Sequence, residues 1–393
     1  MTVTIAATGM GGTATLTREA QEAIASAELL IGAGRMLAPY QDSGKALYMS
    51  YDPAAIAGRI RCGRERSAAV LMSGDTGFFS GTKKLLPLLA EHEVRVLPGI
   101  ASPVYLCAKA GLSWERLHCV TLHGAENSIA VHVRSHALTC FLLGGSITVA
   151  QLCERLIEYS LPHTRLHIGS NLGCENEQVL HGAPADFSDL PAEKLCTAIV
   201  ENPGFCPYLP SGIPDSEFLR ASVPMTKAEV RCLAVSSMRI ARSDTVWDIG
   251  CGTGSVTVEL ALRCPDGHVY AIDKNPEAVR LTRENLRRFS CDNVTVTEGS
   301  FPETALPPPD KVFLGGTGGS LRKITETVYA ANPAAQIVLT AVTLETLAEA
   351  QAVFTAIGRN CTITQIAVTR TKHLGAHTLL QAENPIFLIS VSP

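Results

Sequence analysis

Residues 248–254, DIGCGTG, decide how the second half of the chain is read. The motif follows the apolar run TVWDI and leads directly into SVTVELALR, the pattern of a strand, a tight turn and a helix. Glycines remove side chains where backbone must come close to a ligand at the carboxyl end of a strand. Gly250, Gly252 and Gly254 make G-x-G-x-G, with Cys251 and Thr253 between them. The dinucleotide fingerprint G-x-G-x-x-G would need glycine or alanine at position 255, which is Ser255. The next strand, HVYAID, ends in Asp273, roughly 20 residues past the loop, where a carboxylate can accept both ribose hydroxyl hydrogen bonds. A third strand ends at Gly299-Ser300-Phe301, where Phe301 offers an apolar wall to an adenine ring. With Asp248 ahead of the glycines, the expected ligand is S-adenosylmethionine rather than a nicotinamide dinucleotide.

Outward from this loop, TVWDIG, HVYAID, VTVTEG, KVFLGG and QIVLTAV alternate with helical stretches, as in a parallel sheet covered on both faces. CTITQIAVTR and PIFLISV follow with only a loop between them, so they are expected to pair antiparallel. The first half alternates too: TVTIAATG, SAAVLMSGD and EVRVLPG, then HCVTLHG, ALTCFLLGG, TRLHIGSNLG, EQVLHG and CTAIVEN. The close spacing of the later strands predicts a mixed sheet, and the half reads as two α/β lobes with a cleft between them. Between Asn202 and Pro214, NPGFCPYLPSGIP carries Pro203, Pro207, Pro210 and Pro214, too many for a helix or a central strand. The expected domains are 1–205 and 215–393, joined by a proline-rich linker at 206–214.

The 393 residues suit two domains, and 46% hydrophobic with 18% charged residues excludes a disordered chain. A net charge of −4 gives no basic footprint for nucleic acid. No apolar run reaches the roughly 18 residues of a membrane span, and MTVTIAATGMGG lacks the flanks of a signal peptide. A cytoplasmic protein with no membrane partner is expected. Thirteen cysteines contain no C-x-x-C, and the closest pair, Cys196 and Cys206, are ten residues apart, so buried reduced thiols are expected rather than a metal site. His132 and His136 have the spacing of a metal pair on a helix but no acidic or cysteine partner nearby, and no metal is assigned.

Several stretches leave two readings open. In MTKAEVR, Thr226 and Glu229 fit a capping box opening a helix with apolar positions Val230, Leu233, Met238 and Ala241. Lys227 and Arg231, four apart, are either a solvated basic patch or a clamp for substrate carboxylates. FLGGTGG (313–319), with Gly315 and Gly316, is either a close-packed turn or the floor of a flat pocket. In the first half, the turn at Gly9, Gly11 and Gly12, SGDTGFFSG (73–81) and LPGIASPVYLCAKAGL (97–112) decorate three strand ends with Gly, Asp and Ser, which describes a polar-lined cleft. His123, beside Gly124 after a strand, is either a surface histidine or a proton carrier in that cleft.

GIPDSEFLR (212–220), MTKAEVR (225–231), FLGGTGG and AVTLETLAEA (341–350) surround the glycine loop in an order that resembles the precorrin-6B methyltransferases of corrin biosynthesis. The resemblance implies a Rossmann-like class I methyltransferase fold ending in an antiparallel hairpin. It also implies methylation of ring carbon 15 with loss of carbon dioxide from the carbon-12 acetate. It puts donor contacts at Thr226, Gly250, Cys251, Gly252, Thr253, Gly254, Asp273 and Phe301. That family often has asparagine where this chain has Thr340, which is assigned no role.

The first half resembles the tetrapyrrole methylase family, most closely its precorrin carbon-5 branch. This implies a two-lobed fold holding a second S-adenosylmethionine, with contacts at Gly9, Gly74, Asp75, Phe78, Ala101, Ser102 and Leu143. The first glycine loop is about two residues short, and Gly74-Asp75-Thr76 replaces the usual Gly-Asp-Pro. Together the halves resemble the fused carbon-5,15 precorrin methyltransferases, decarboxylating. The resemblance implies one donor per domain, a precorrin or cobalt-precorrin macrocycle as partner, and a homo-oligomer. No motif identifies the acid that protonates carbon 12, and the catalytic residue is left open. Rival readings are a methyltransferase for another acceptor and a non-catalytic tetrapyrrole- or donor-binding protein.

Overall fold

A computed structural model describes residues 1–122, 127–144, 147–191, 196–316 and 318–392. Contacts divide the chain into two compact units. The first is Met1–Ala125, Ala137–Cys153 and His163–Pro203; the second is Glu126–His136, Glu154–Pro162 and Gly204–Pro393. The proline-rich stretch therefore opens the long segment of the second unit.

The first unit holds two five-stranded sheets. One has β1 (Thr2–Ala7), β2 (Leu29–Gly32), β3 (Ala46–Met49), β4 (Ser67–Met72) and β5 (Glu93–Leu97), all parallel, in the order β3-β2-β4-β1-β5. The other has β6 (Leu117–Thr121), β7 (Leu138–Leu143), β8 (Arg165–Ser170), β9 (Gln178–Gly182) and β10 (Cys196–Glu201), in the order β6-β7-β10-β8-β9. Only β6–β7 is parallel there, so the expected mixed sheet is present. Neither β2 nor β3 was picked out from the sequence pattern. The helix stops at Ser26 and LLIG is a fully buried strand. A four-residue apolar run has no period by which strand and helix can be told apart.

The second unit is built on seven strands: β11 (Thr245–Ile249), β12 (His268–Asp273), β13 (Val294–Glu298), β14 (Lys311–Leu314), β15 (Gln336–Ala341), β16 (Cys361–Ile366) and β19 (Ile386–Val391). Their order is β13-β12-β11-β14-β15-β19-β16, and the first five are parallel. Side chains alternate between two cores, as the pleat requires. Val246, Phe313 and Val338 join one, while Trp247, Leu314 and Leu339 join the other. β16 and β19 pair antiparallel from Cys361↔Val391 to Ile366↔Ile386, as the sequence led us to expect. The chain between them is more than a loop. β17 (Thr369–Leu374) and β18 (His377–Ala382) form a separate exposed hairpin, and CTITQIAVTR is two strands rather than one. The signal for it is Gly375-Ala376, a two-residue turn with Gly375 at φ +59°, flanked by alternating polar residues.

The helix that begins within MTKAEVR starts one residue later than a capping box at Thr226 would need. It spans Ala228–Ser237, Lys227 occupies the N-cap position, and no side chain caps it. Glu229 instead pairs with Arg370, Leu233 is 47% exposed, and Ala241 lies beyond the helix. What holds this helix is Arg231, which is fully buried. Its Nε donates to Glu259 Oε1 at 2.6 Å and its Nη1 to the Thr226 carbonyl at 2.6 Å, with Asp215 Oδ1 3.4 Å away and Nη2 on the Ile213 carbonyl. Glu259, also fully buried, accepts the amides of Gly212 and Ile213. GIPDSEF and MTKAEVR are thus clasped to the helix Ser255–Arg263 that follows the glycine loop.

Removing one partner of a buried ion pair strands the other charge at a cost of about 3–5 kcal/mol. Arg231→Met should therefore lower the urea midpoint strongly. Adding Glu259→Gln, which removes the stranded charge while keeping an acceptor for the two amides, should recover part of the loss.

Candidate functional site

The carboxyl ends of the parallel strands β11, β12, β13 and β14 open onto a cavity of about 600 Å³, within the roughly 300–1,000 Å³ of small-molecule sites. The glycine loop forms one wall. Gly250 has φ +77°, and a Cβ there would lie 2.9 Å from the amide nitrogen of Gly316. Gly252 has φ +57°, and its Cβ would lie 3.0 Å from the Pro224 carbonyl. Two loops and the 223–226 segment therefore approach one another at a distance only glycine allows. In FLGGTGG, a Cβ on Gly315 would lie 2.5 Å from the Gly250 carbonyl, and Gly315 and Gly316 both line the cavity. Thr317 lies outside the described residues.

The expected residues Thr226, Lys227, Gly250, Cys251, Gly252, Thr253, Asp273 and Phe301 all line this cavity. Gly254 does not line it; it ends the turn at the N-cap of the following helix. Arg231 does not line it either. Its donors are committed inside the protein, so the substrate-clamp reading of Arg231 gives way to a structural one. Lys227 is half-buried, 3.6 Å from Asp215. Asp273 accepts the Gly252 amide on Oδ2 and the Asn275 amide on Oδ1, each at 2.9 Å, which fixes its carboxylate beside the loop. Phe301 is buried against the Trp247 ring, with centroids 5.1 Å apart. Thr340, given no role from sequence, is also part of the lining.

Asp248 is the electrostatic peculiarity of the site. It is fully buried; Oδ2 accepts from the Thr257 hydroxyl at 2.5 Å, and Oδ1 has no hydrogen-bond partner among the described residues. Burial first, then the nearby Asp273 charge, raises its pKa from 3.8 to about 7. A cationic ligand in the cavity would favour the ionised form. The residues present fit S-adenosylmethionine: a cradle that a Cβ would fill, a carboxylate fixed beside the glycine loop, an aromatic wall and a buried acid in the lining.

The first unit has a smaller cavity, about 230 Å³, lined by Gly74, Asp75, Phe78, Ala101, Ser102 and Leu143 as expected. Gly9 lies behind it: its amide donates to the Gly74 carbonyl at 3.1 Å and its carbonyl accepts the Gly74 amide at 2.8 Å. Asp75 ties two loops together by accepting the amides of Gly77 and Gly99, each at 2.8 Å. The Thr76 that replaces proline is buried and donates its hydroxyl to the Leu97 carbonyl at 3.2 Å, which accommodates the departure. The sequence reading missed Arg35 and Ser73 in this lining, and the overlooked strand β2 is why Arg35 went unplaced. His123 lies outside the described residues. Among those residues no group of three histidines, cysteines or acids could hold a metal, and no helix is long and apolar enough to cross a membrane.

Residues 217–392 match the family model described as the precorrin methyltransferase domain, and residues 2–187 match that of the tetrapyrrole (corrin/porphyrin) methylases. Relatives designated cobalt-precorrin-6B C(15)-methyltransferase (decarboxylating) occur in Pyrobaculum aerophilum and Salmonella typhimurium. The first is 42% identical over 47% of this chain and 97% of its own length, the second 38% identical over 45% and 93%. The chain belongs to the precorrin methyltransferase family. A solved structure of a precorrin-6Y C5,15-methyltransferase from Geobacter metallireducens is 36% identical over 46% of this chain and 97% of its own, with a TM-score of 0.44. The two family models do not overlap, so this methyltransferase carries a tetrapyrrole methylase region ahead of the precorrin methyltransferase region.

Asp248 holds its proton more tightly folded than unfolded. Its contribution to stability is therefore whole below about pH 3.8 and is lost as the pH rises to about 7. Thermal melts of the ligand-free protein should show wild type losing ground to Asp248→Asn across that window and not above it. Parallel curves would remove the raised pKa.

Proposed function

We propose that the chain transfers two methyl groups from S-adenosylmethionine to a precorrin macrocycle, at carbon 5 through the first half and at carbon 15 through the second. Loss of the carbon-12 acetate carboxyl as carbon dioxide accompanies the second transfer, as a step of cobalamin biosynthesis. The observation that carries this is the glycine-cradled cavity with Asp273 and Phe301, in a half that is 42% identical to a carbon-15 enzyme over nearly all of that enzyme's length. A separate cavity on an unrelated sheet supports a second donor site.

When bound, the donor would supply its sulfonium methyl to in-line attack by a nucleophilic ring carbon, with S-adenosylhomocysteine as the leaving group. The chain's own contribution is placement. Gly250 and Gly252 let backbone reach the ligand, Asp273 is set to hold ribose hydroxyls, and Phe301 walls the adenine. Such positioning corresponds to about 7 kcal/mol or more of barrier when effective molarity reaches roughly 10⁵ M. Val342, 71% exposed and part of the cavity lining, extends an apolar surface to a large flat acceptor. Lys227 offers a cation to its carboxylates. Joining the two activities in one chain exposes each site to the other's product at an effective concentration that can reach millimolar. We assign the protein to the cytoplasm and to a self-associating state, which light scattering in solution reads directly.

Mass spectrometry of the product formed with excess S-adenosylmethionine tests the assignment. Gain of two methyl groups and loss of one carbon dioxide is expected. Asp273→Ala should abolish carbon-15 methylation and carbon dioxide loss while leaving the carbon-5 methyl in place. Bound donor with an unchanged macrocycle would overturn the corrin assignment in favour of another acceptor.

A further inference from the structure

The five strands of the first sheet run parallel, so their carboxyl ends share one edge. That edge carries more than a donor pocket uses. Arg35 follows β2, in the short helix Gly34–Leu37, and lines the N-terminal cavity. Its Nη2 donates to the Ser73 hydroxyl at 2.7 Å, which uses one of the five guanidinium N–H groups and leaves four. The side chain is exposed, and among the described residues it has no ion pair. The other charged residue of the lining, Asp75, has both carboxylate oxygens occupied by backbone amides. Among the described residues Arg35 is the one cation of this lining, and its planar fork, with four N–H groups left, matches a carboxylate.

Apolar surface lies beside it. Phe79 has φ +45°, an outlier for a bulky side chain, and the residue is 55% exposed in the cavity lining. Met49, at the end of β3, is 74% exposed, and its sulfur sits beside Gly34, the residue before Arg35. A cavity of about 230 Å³ is too small for a macrocycle, which must engage the rim.

We propose that Arg35, braced by Ser73, binds a side-chain carboxylate of the acceptor, with Phe79 and Met49 supporting the ring face. Arg35 is then the residue that sets acceptor orientation for the carbon-5 transfer. This rests on the functional reading of the first half given above. The other source of a carboxylate is the donor's own amino-acid end, and the experiment separates the two.

Arg35→Gln and Arg35→Lys are made in the full chain. Site-resolved NMR with ¹³C-methyl donor follows each transfer, and calorimetry in an Asp273→Ala background reads donor affinity at the N-terminal site. Arg35→Gln should raise the macrocycle KM for carbon-5 methylation about 10–100-fold, the span of one charge-assisted hydrogen-bonded contact. Arg35→Lys should restore part of it. Donor affinity and the carbon-15 transfer should stay within twofold of wild type. An unchanged KM, or a loss confined to donor affinity, overturns the inference. A wild-type chain that adds no methyl at carbon 5 would remove the functional reading of this half and the inference with it. Wild-type methylation with an indifferent Arg35→Gln would remove the inference alone.

Discussion

The buried pairing of Arg231 with Glu259 holds the second unit's site together. Both groups are fully buried, and between them they take up two backbone amides and two backbone carbonyls of the 212–226 segment. A buried pair of this kind adds little net stability, because desolvation offsets most of the attraction. Its effect is positional. Irregular chain that could settle in many ways is fixed against one helix face, and Val223, Pro224, Met225 and Thr226 become the wall opposite the glycine loop.

The second constraint is backbone proximity. Gly250, Gly315 and Gly316 meet where a single methyl group would collide with backbone atoms. The cavity is therefore made by main chain as much as by side chains, which suits recognition of a ligand through polar backbone groups and a few anchored acids. Asp248 and Asp273 sit in this setting with opposite treatment. Asp273 receives two amide hydrogen bonds, whereas buried Asp248 has one oxygen without a partner among the described residues. An acid kept near neutrality at the base of a cavity is poised to respond to the charge of whatever enters.

The first unit reaches a comparable arrangement by another topology. Its all-parallel sheet also gathers loops at one edge, and there an aspartate, Asp75, holds two loops together while Arg35 is braced by Ser73. Each cavity thus has an aspartate fixed by backbone amides beside it, Asp273 in the second unit and Asp75 in the first.

The sequence by itself determined the alternation of strands and helices, the glycine loop with its spaced Asp273, and the antiparallel close of the second sheet, because these depend on short-range pattern and composition. Most of the residues it singled out in the second half, Gly254 and Arg231 apart, line the larger cavity, since strand ends of a parallel sheet converge on one edge whatever their separation in the chain. What only the tertiary structure decided depended on long-range partners. Arg231 reads as a surface cation by its spacing from Lys227, and only the presence of Glu259, distant in sequence, makes it an internal clasp. Thr226 and Glu229 satisfy a capping pattern, yet the Thr226 carbonyl is held by Arg231 and Glu229 is drawn to Arg370, so the helix starts later. Arg35 could not be placed until LLIG was seen as a strand, because a four-residue apolar run acquires its structure from the neighbours that pair with it.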